Sequence, residues 1–305
     1  MVVKPPKLKA GDKVCLVSPA STPEKIQVKA TVEHLEALGL EVQLGKHVFD
    51  RHGYLAGTDE VRLKDLNDAI RDPAIRAVIA TRGGKGAYRI AKDLDFKAAS
   101  KNPKLLIGFS EITILHLALL KHCNLSGLHG APWLPGFSAR SAESFRLAAF
   151  TPGVITLESN KQESTHALTT SGMAQGRLIG GNEDMLATAA GWMLPSFDGA
   201  ILLLEAFGMR MGQMDRHLTM LENAGHLTGL KGIAIGQYTE CGPDATTQGN
   251  WTTNDVIGER LRRLNVPILG GLPIGHGDSP VAVPIGTMAT LDANSGTLTV
   301  ESAVT

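Results

Sequence analysis

Cysteine is scarce in this 305-residue chain: Cys15, Cys123 and Cys241 are the only three. They lie far apart, are odd in number and have no C-x-x-C partner, which argues against a disulfide framework and for a reducing compartment. A charge excess is missing as well. The 30 Lys and Arg balance the 30 Asp and Glu, so no electrostatic footprint points to nucleic acid or to an anionic membrane surface. Peptide or small-molecule substrates fit better. No apolar run reaches membrane-spanning length, and the opening residues, with Pro5 and Pro6 among them, contain none long enough for a signal peptide. A cytoplasmic protein without a membrane partner is expected. No H-E-x-x-H or comparable ligand spacing occurs, which argues against a metal hydrolase. Internal repeats and low-complexity segments are absent too.

What is present is an ordinary globular composition, 43% hydrophobic and 20% charged, enough to bury a substantial core divided into two domains. The first half alternates short apolar runs with amphipathic stretches. KVCLVSPA is followed by a helix around Pro23 to Leu38, EVQLG, a helix around Asp59 to Arg71, AVIATRGG and KLLIGFS. That alternation predicts a parallel sheet covered by helices, a Rossmann-like α/β domain over residues 1–150. In such a sheet functional residues gather beyond the carboxyl ends of the strands, so the loops at Ser18 to Ser21, Arg82 to Gly84 and Ser110 should converge. Residues 151–170 turn polar and lose periodicity, and are read as a linker. Residues 171–305 carry GRLIGGN, AILLLEA, KGIAIGQY, VPILGGLPIG and a hairpin-like GTMATLDANSGTLTVES, predicting a smaller β-rich, barrel-like domain. Asn182 reads as an N-cap, with Glu183 and Asp184 in the first helical turn, where the helix dipole favours negative charge.

Ser110 stands where the strand at Leu105 turns into an apolar helix. The plain reading is a helix N-cap; the other is a nucleophile presented at a strand-to-helix elbow, although Ile112 replaces the second glycine of G-x-S-x-G. A serine nucleophile needs a base and an acid. His276, between Gly275 and Gly277 in LPIGHGDSP, has a permissive backbone from which its ring can project, or is a turn residue. Glu205 ends AILLLEA, where a carboxylate in a buried strand must find a partner. That partner is a base or a structural arginine.

Taken together, LVSPAS, TRGGKGAYR, IGFSEIT, LHGAP, GRLIGGN, LLLEAFGMRMGQMDRHLTML and LPIGHG, in that order over nearly the whole chain, resemble the LD-carboxypeptidase family of serine peptidases, which also includes the microcin C self-immunity peptidases. The resemblance implies a Ser–His–Glu triad of Ser110, His276 and Glu205, with the nucleophile in the N-terminal domain and the acid and base in the C-terminal one. It also implies a homodimer. The chain departs from the family pattern at Glu111, often Asp; at Lys85, usually aromatic; and at Met209, Met211 and Met214. Those differences bear on substrate fit.

The chemistry needs oxyanion donors, for which the backbone N–H groups of Gly84 and Glu111 are the candidates. It requires neither a metal nor a cofactor. Arg82 and Arg216 are candidates for pairing with a substrate carboxylate, although bracing the glycine loop is the favoured reading of Arg82. The implied substrate is a murein tetrapeptide that loses its terminal D-alanine in cell-wall recycling. The alternative is an immunity-type peptidase acting on peptidyl or aminoacyl nucleotides, marked by an aromatic platform and an additional loop for adenine stacking; Trp192 reads instead as a core or interface residue. A nucleotide-binding module or sensor is a third reading, but TRGGKGAYR fits neither G-x-G-x-x-G nor G-x-x-x-x-G-K-[ST].

Overall fold

A computed structural model describes residues 2–132, 136–243 and 249–305 of the chain. The strands of the first half are β1 (Lys13–Val17), β2 (Glu41–Leu44), β3 (Ile75–Ala80), β4 (Leu105–Gly108) and β5 (Gly127–His129). The helices between and after them are α1 (Lys25–Ala37), α2 (Asp59–Arg71), α3 (Ala87–Ile90), α4 (Phe96–Lys101), α5 (Thr113–Cys123) and α6 (Ala139–Phe150). The interior strands β1, β3 and β4 are almost wholly apolar and buried, as a sheet covered on both faces requires. The edge strand β2, EVQL, is largely exposed. Helix α2 begins where predicted: the Thr58 hydroxyl accepts the Val61 N–H, and Asp59 and Glu60 occupy the first turn.

The second half contributes β6 (Ile155–Glu158), β7 (Met173–Asn182), α7 (Glu183–Ala189), β8 (Ile201–Phe207), α8 (Met211–Asn223), β9 (Gly232–Thr239), α9 (Thr253–Leu261) and β10 (Ile268–Leu269). Three short strands complete it: β11 (Val283–Ile285), β12 (Met288–Asp292) and β13 (Thr297–Val300). The stretch read as a linker therefore holds a strand, β6, which pairs antiparallel with β13.

The first sheet has the order β11-β5-β4-β3-β1-β2, and the second β10-β9-β8-β7-β12-β13-β6. In the first, β1 to β5 run parallel, and β11 returns from the second half to pair antiparallel with β5. The chain reverses its direction of growth between β1 and β3, the switch point where an open α/β sheet leaves a crevice. In the second sheet β7 to β10 are parallel, while β12, β13 and β6 are antiparallel. This sheet curls until its edges meet: the Asn160 N–H donates to the Gly271 carbonyl at 2.8 Å and the Ser159 hydroxyl to the Gly270 carbonyl at 2.6 Å.

Helix α5 joins the two halves. Its residues Thr113 to Leu120 are all buried, as expected of a helix that is apolar on every side. One apolar cluster runs from Val17 and Val78 through Leu115 and Ala118 to Ile179, Leu202 and Ile235, so the halves share a core. Ser110 lies just before this helix. Among the described residues no helix is long and apolar enough to cross a membrane.

Candidate active site

The loops after β1, β3 and β4 converge as predicted. At the first, the buried Ser18 hydroxyl bonds the Val48 carbonyl at 2.9 Å and the Thr81 hydroxyl at 2.7 Å. Ser21 reaches the glycine loop, its N–H donating to the Gly83 carbonyl at 3.4 Å and its hydroxyl accepting from the Lys85 N–H at 3.1 Å. Gly83 faces Ser110 so closely that a β-carbon there would stand 2.9 Å from the Ser110 Cβ and 3.0 Å from its Oγ. A side chain at Gly83 would displace the serine.

Ser110 caps no helix by its side chain. It opens a short 3-10 turn, Ser110–Ile112, whose N-cap is Phe109 and which has no side-chain cap bond. Its φ of 60° places it in the left-handed region, which a serine seldom occupies and which is a strained conformation met at functional elbows. Periodicity carries no sign of this torsion. Ser110 lines a cleft of about 540 Å³ with Arg82, Gly84, Glu111, Asn182 and His276.

The second sheet supplies the other wall. Glu205 sits near the end of β8 where the register against β9 shifts between Leu204 and Ala206, a bulge of the kind that re-aims a side chain. It is 0% exposed. His276 follows β10, its Nδ1 2.8 Å from Glu205 Oε2. The Phe109 and Phe207 rings flank the imidazole at 4.9 and 5.1 Å between centroids. Burial pushes the Glu205 carboxyl up, but the bond and charge of His276, then His129 and Asn182, bring it below its ordinary value. The carboxylate form is therefore the stable one.

Three features were not foreseen. Glu111, considered only for its backbone N–H, turns its buried carboxylate to the glycine loop and accepts the Gly86 and Ala87 N–H groups at 2.7 and 2.9 Å. It ties the turn at Ser110 to α3. The acidic residue in IGFSEIT was the available signal. The loop is braced from below by Arg62 of α2, 1% exposed, which donates to the Pro19 carbonyl and, at 2.9 Å, to the Gly86 carbonyl. A buried arginine in a helix otherwise read as amphipathic leaves no mark in sequence. The predicted brace, Arg82, is exposed at the cleft and donates to the Thr22 carbonyl at 3.4 Å. The third feature is Asn182: it occupies the N-cap position but makes no side-chain cap bond, and it faces the cleft instead.

Arg216 is exposed on α8 and is not among the cleft-lining residues. Lys85 and Asp184, on opposite walls, approach to 3.7 Å. Among the described residues no group of three or more His, Cys, Asp or Glu could hold a metal ion.

Residues 14–130 match the LD-carboxypeptidase N-terminal domain and residues 175–291 the LD-carboxypeptidase C-terminal domain. The chain belongs to the LD-carboxypeptidase family. It is 34% identical over 291 residues to the murein tetrapeptide carboxypeptidase of Pseudomonas aeruginosa, covering 92% of this chain and 94% of that one. The crystal structure of muramoyltetrapeptide carboxypeptidase from Oxalobacter formigenes superposes with a TM-score of 0.84 at 27% identity, covering 96% of this chain and all of that one. A more distant relative is the microcin C7 self-immunity protein MccF of Escherichia coli, 24% identical over 326 residues, 96% of this chain and 94% of that one. The protein is a carboxypeptidase of this family, and its two-sheet architecture is the family's.

Proposed function

We propose that this carboxypeptidase is a serine enzyme that releases the terminal D-alanine of murein tetrapeptide with Ser110 as nucleophile, His276 as base and Glu205 as acid. The observation that carries the reading is the His276–Glu205 pair at 2.8 Å, opening onto the cleft that Ser110 lines. His276 takes the Ser110 proton as Oγ attacks the carbonyl of the acyl-side residue, and returns it to the departing D-alanine amine. Glu205 fixes the imidazole tautomer and stabilises its cation. Water, activated by the same histidine, releases the acyl-enzyme. The Gly84 and Glu111 N–H groups are assigned to the oxyanion, with the Glu111 carboxylate holding the loop that presents Gly84.

Arg82 is assigned to the substrate's terminal carboxylate, since it lines the cleft; Arg216 has no such support. The murein substrate is favoured over an aminoacyl nucleotide by the 34% identical murein tetrapeptide carboxypeptidase. Trp192 also weighs against the nucleotide reading, because its indole donates to the Thr188 carbonyl and it is not among the cleft-lining residues. A cytoplasmic homodimer that binds no nucleic acid completes the proposal, and sedimentation measures its mass directly. The enzymatic test offers tetrapeptide, the corresponding pentapeptide, C-terminally amidated tetrapeptide and an aminoacyl-sulfamoyl adenosine at equal concentration. Tetrapeptide should dominate in kcat/KM, because inverting the acyl-side centre or losing the carboxylate misplaces the carbonyl, and about 1 Å of misplacement costs roughly 100-fold. Comparable values for the three peptides, or preference for the nucleotide, would reject it.

A further inference from the structure

The side of Glu205 turned away from His276 meets a second histidine. His129 ends β5 and belongs to the first sheet, whereas Glu205 belongs to the second. The imidazole is 1% exposed, with Nε2 3.9 Å from Glu205 Oε1. Neither His129 ring nitrogen nor Glu205 Oε1 has a hydrogen-bond partner among the described residues. Native interiors keep such atoms rare, so three at one buried spot call for a joint explanation. The ring's place depends on Gly181, whose φ is 139° and whose β-carbon, were there one, would stand 3.0 Å from His129 Cε1 and Nδ1.

The surroundings leave this imidazole neutral. Burial pushes it down to about 4, against the pull of Glu205. His116 of α5, its neighbour, has Nε2 2.9 Å from the Gly108 carbonyl and is itself held at about 3, chiefly by burial. Tyr238 and Cys241 also feel the Glu205 charge, and the Asn182 side chain lies against the carboxylate. A neutral imidazole has one N–H to give, and the nearest unpartnered acceptor is Glu205 Oε1, at 3.9 Å beyond the distance of a direct hydrogen bond in this arrangement.

We propose that His129 is a positioning residue for the acid: as the Nε2–H tautomer it holds Glu205 Oε1, directly or through one bridging water, and so keeps Oε2 on His276. This rests on the triad reading. The donor's positive end stabilises the carboxylate more than it repels the remoter imidazole when that becomes a cation. It therefore favours the unprotonated, net-negative His276–Glu205 dyad that starts the reaction. Losing the donor makes the dyad easier to protonate and moves the acid limb of kcat/KM to higher pH.

Two measurements test it. In 15N-histidine-labelled protein, NMR should find His129 as the neutral Nε2–H tautomer at about pH 6; the Nδ1–H tautomer or an imidazolium there would overturn the assignment without any substitution. In kinetics on tetrapeptide, His129→Leu should lower kcat roughly 10- to 100-fold, the scale on which losing a group that orients a functional histidine acts. KM should change less than about threefold, and the acid limb should rise by about half a pH unit or more. His129→Gln, which still carries an N–H, should recover most of both. Equal losses in the two variants with an unmoved limb would leave His129 a packing residue. If His129→Leu does not fold, the limb of His129→Gln staying near wild type together with the NMR tautomer supports the proposal, and either one failing rejects it. Ser110→Ala separates the two layers: if it stays active, the triad reading fails, while an inactive Ser110→Ala beside a fully active His129→Leu removes only this inference.

Discussion

Two buried carboxylates lie where neighbouring strands end, and each has a histidine close by, yet their chemistry differs. Glu205 of β8 meets His276 at 2.8 Å and is held below its ordinary pKa. Glu183, the residue after β7, has His217 Nδ1 at 3.5 Å and takes its short bond, 2.6 Å, from the Tyr238 hydroxyl. There burial outweighs the partners and the carboxyl rises. His217 also stands 3.6 Å from Asp184 and is not among the cleft-lining residues. On the proposed reading, nearness of an acid to a histidine does not by itself make a catalytic pair. A bond short enough to hold the carboxylate charged, and a ring facing the space that the nucleophile shares, separate the first pair from the second.

Glutamine at each position breaks the comparison most sharply. Glu205→Gln should cost on the order of 10³- to 10⁴-fold in kcat, since the wrong imidazole tautomer is then favoured. Glu183→Gln, which keeps an oxygen for Tyr238, should stay within about threefold, the range of a substitution outside the reacting unit. Steady-state kinetics on tetrapeptide checks both. Equal losses would mean that the second pair takes part in turnover.

Next in size comes Glu111→Ala. It strands two buried N–H donors, and unpaired buried groups cost about 1–3 kcal/mol each. The loop facing Ser110 loosens, so kcat should fall by roughly 10- to 100-fold with the midpoint of thermal unfolding several degrees lower. Unchanged kcat with the same lowered midpoint would confine Glu111 to folding.

The two carboxylates should also give opposite pH slopes of stability. Glu205 has a depressed folded pKa, so it stabilises the fold above its unfolded pKa, near 4.3, and that contribution is lost as pH falls through the folded value. Glu183 is raised. Its ionised form burdens the native state above the folded pKa, and the burden is relieved as pH falls towards the unfolded value. Denaturant titrations across pH should show Glu205→Gln flattening the acid-side loss and Glu183→Gln flattening a slope above about pH 4.3. Identical slopes in both variants would contradict the assigned environments.

The smallest effect belongs to Lys85 and Asp184. Their side chains are 62% and 28% exposed, and exposed pairs contribute about 0–1 kcal/mol. Lys85→Ala should move the unfolding midpoint by no more than about 2 °C, and added salt should erase the difference. A larger, salt-resistant shift would make this pair a structural clasp across the cleft.

Ser110, Glu205 and His276 were legible as candidates because each sits at the end of an apolar run, and strand ends are where a parallel sheet exposes its chemistry; the family resemblance joined them into the proposed triad. The convergence of the three first-half loops followed from the same rule. What stayed hidden lives in tertiary contacts. Arg62 reads as a solvent-facing helix residue until its guanidinium is seen under two loops. His129 lies in a three-residue strand whose partner, β11, comes more than 150 residues later and contains Pro284, so neither its depth nor its closeness to Glu205 can be read locally. Strand β6 is short and polar enough to pass for linker until β13 pairs with it. Glu111 showed its charge but not its direction.

The central claim is that Ser110, His276 and Glu205 act as one unit across the cleft between the two sheets. Measuring kcat for Ser110→Ala, His276→Ala and the double variant on murein tetrapeptide, with folding checked by circular dichroism, tests it most directly. Each single variant should lose on the order of 10⁴-fold or more, and the double variant no more than either alone. Losses that multiply in the double variant, or a Ser110→Ala enzyme keeping more than about a tenth of wild-type kcat, would contradict it.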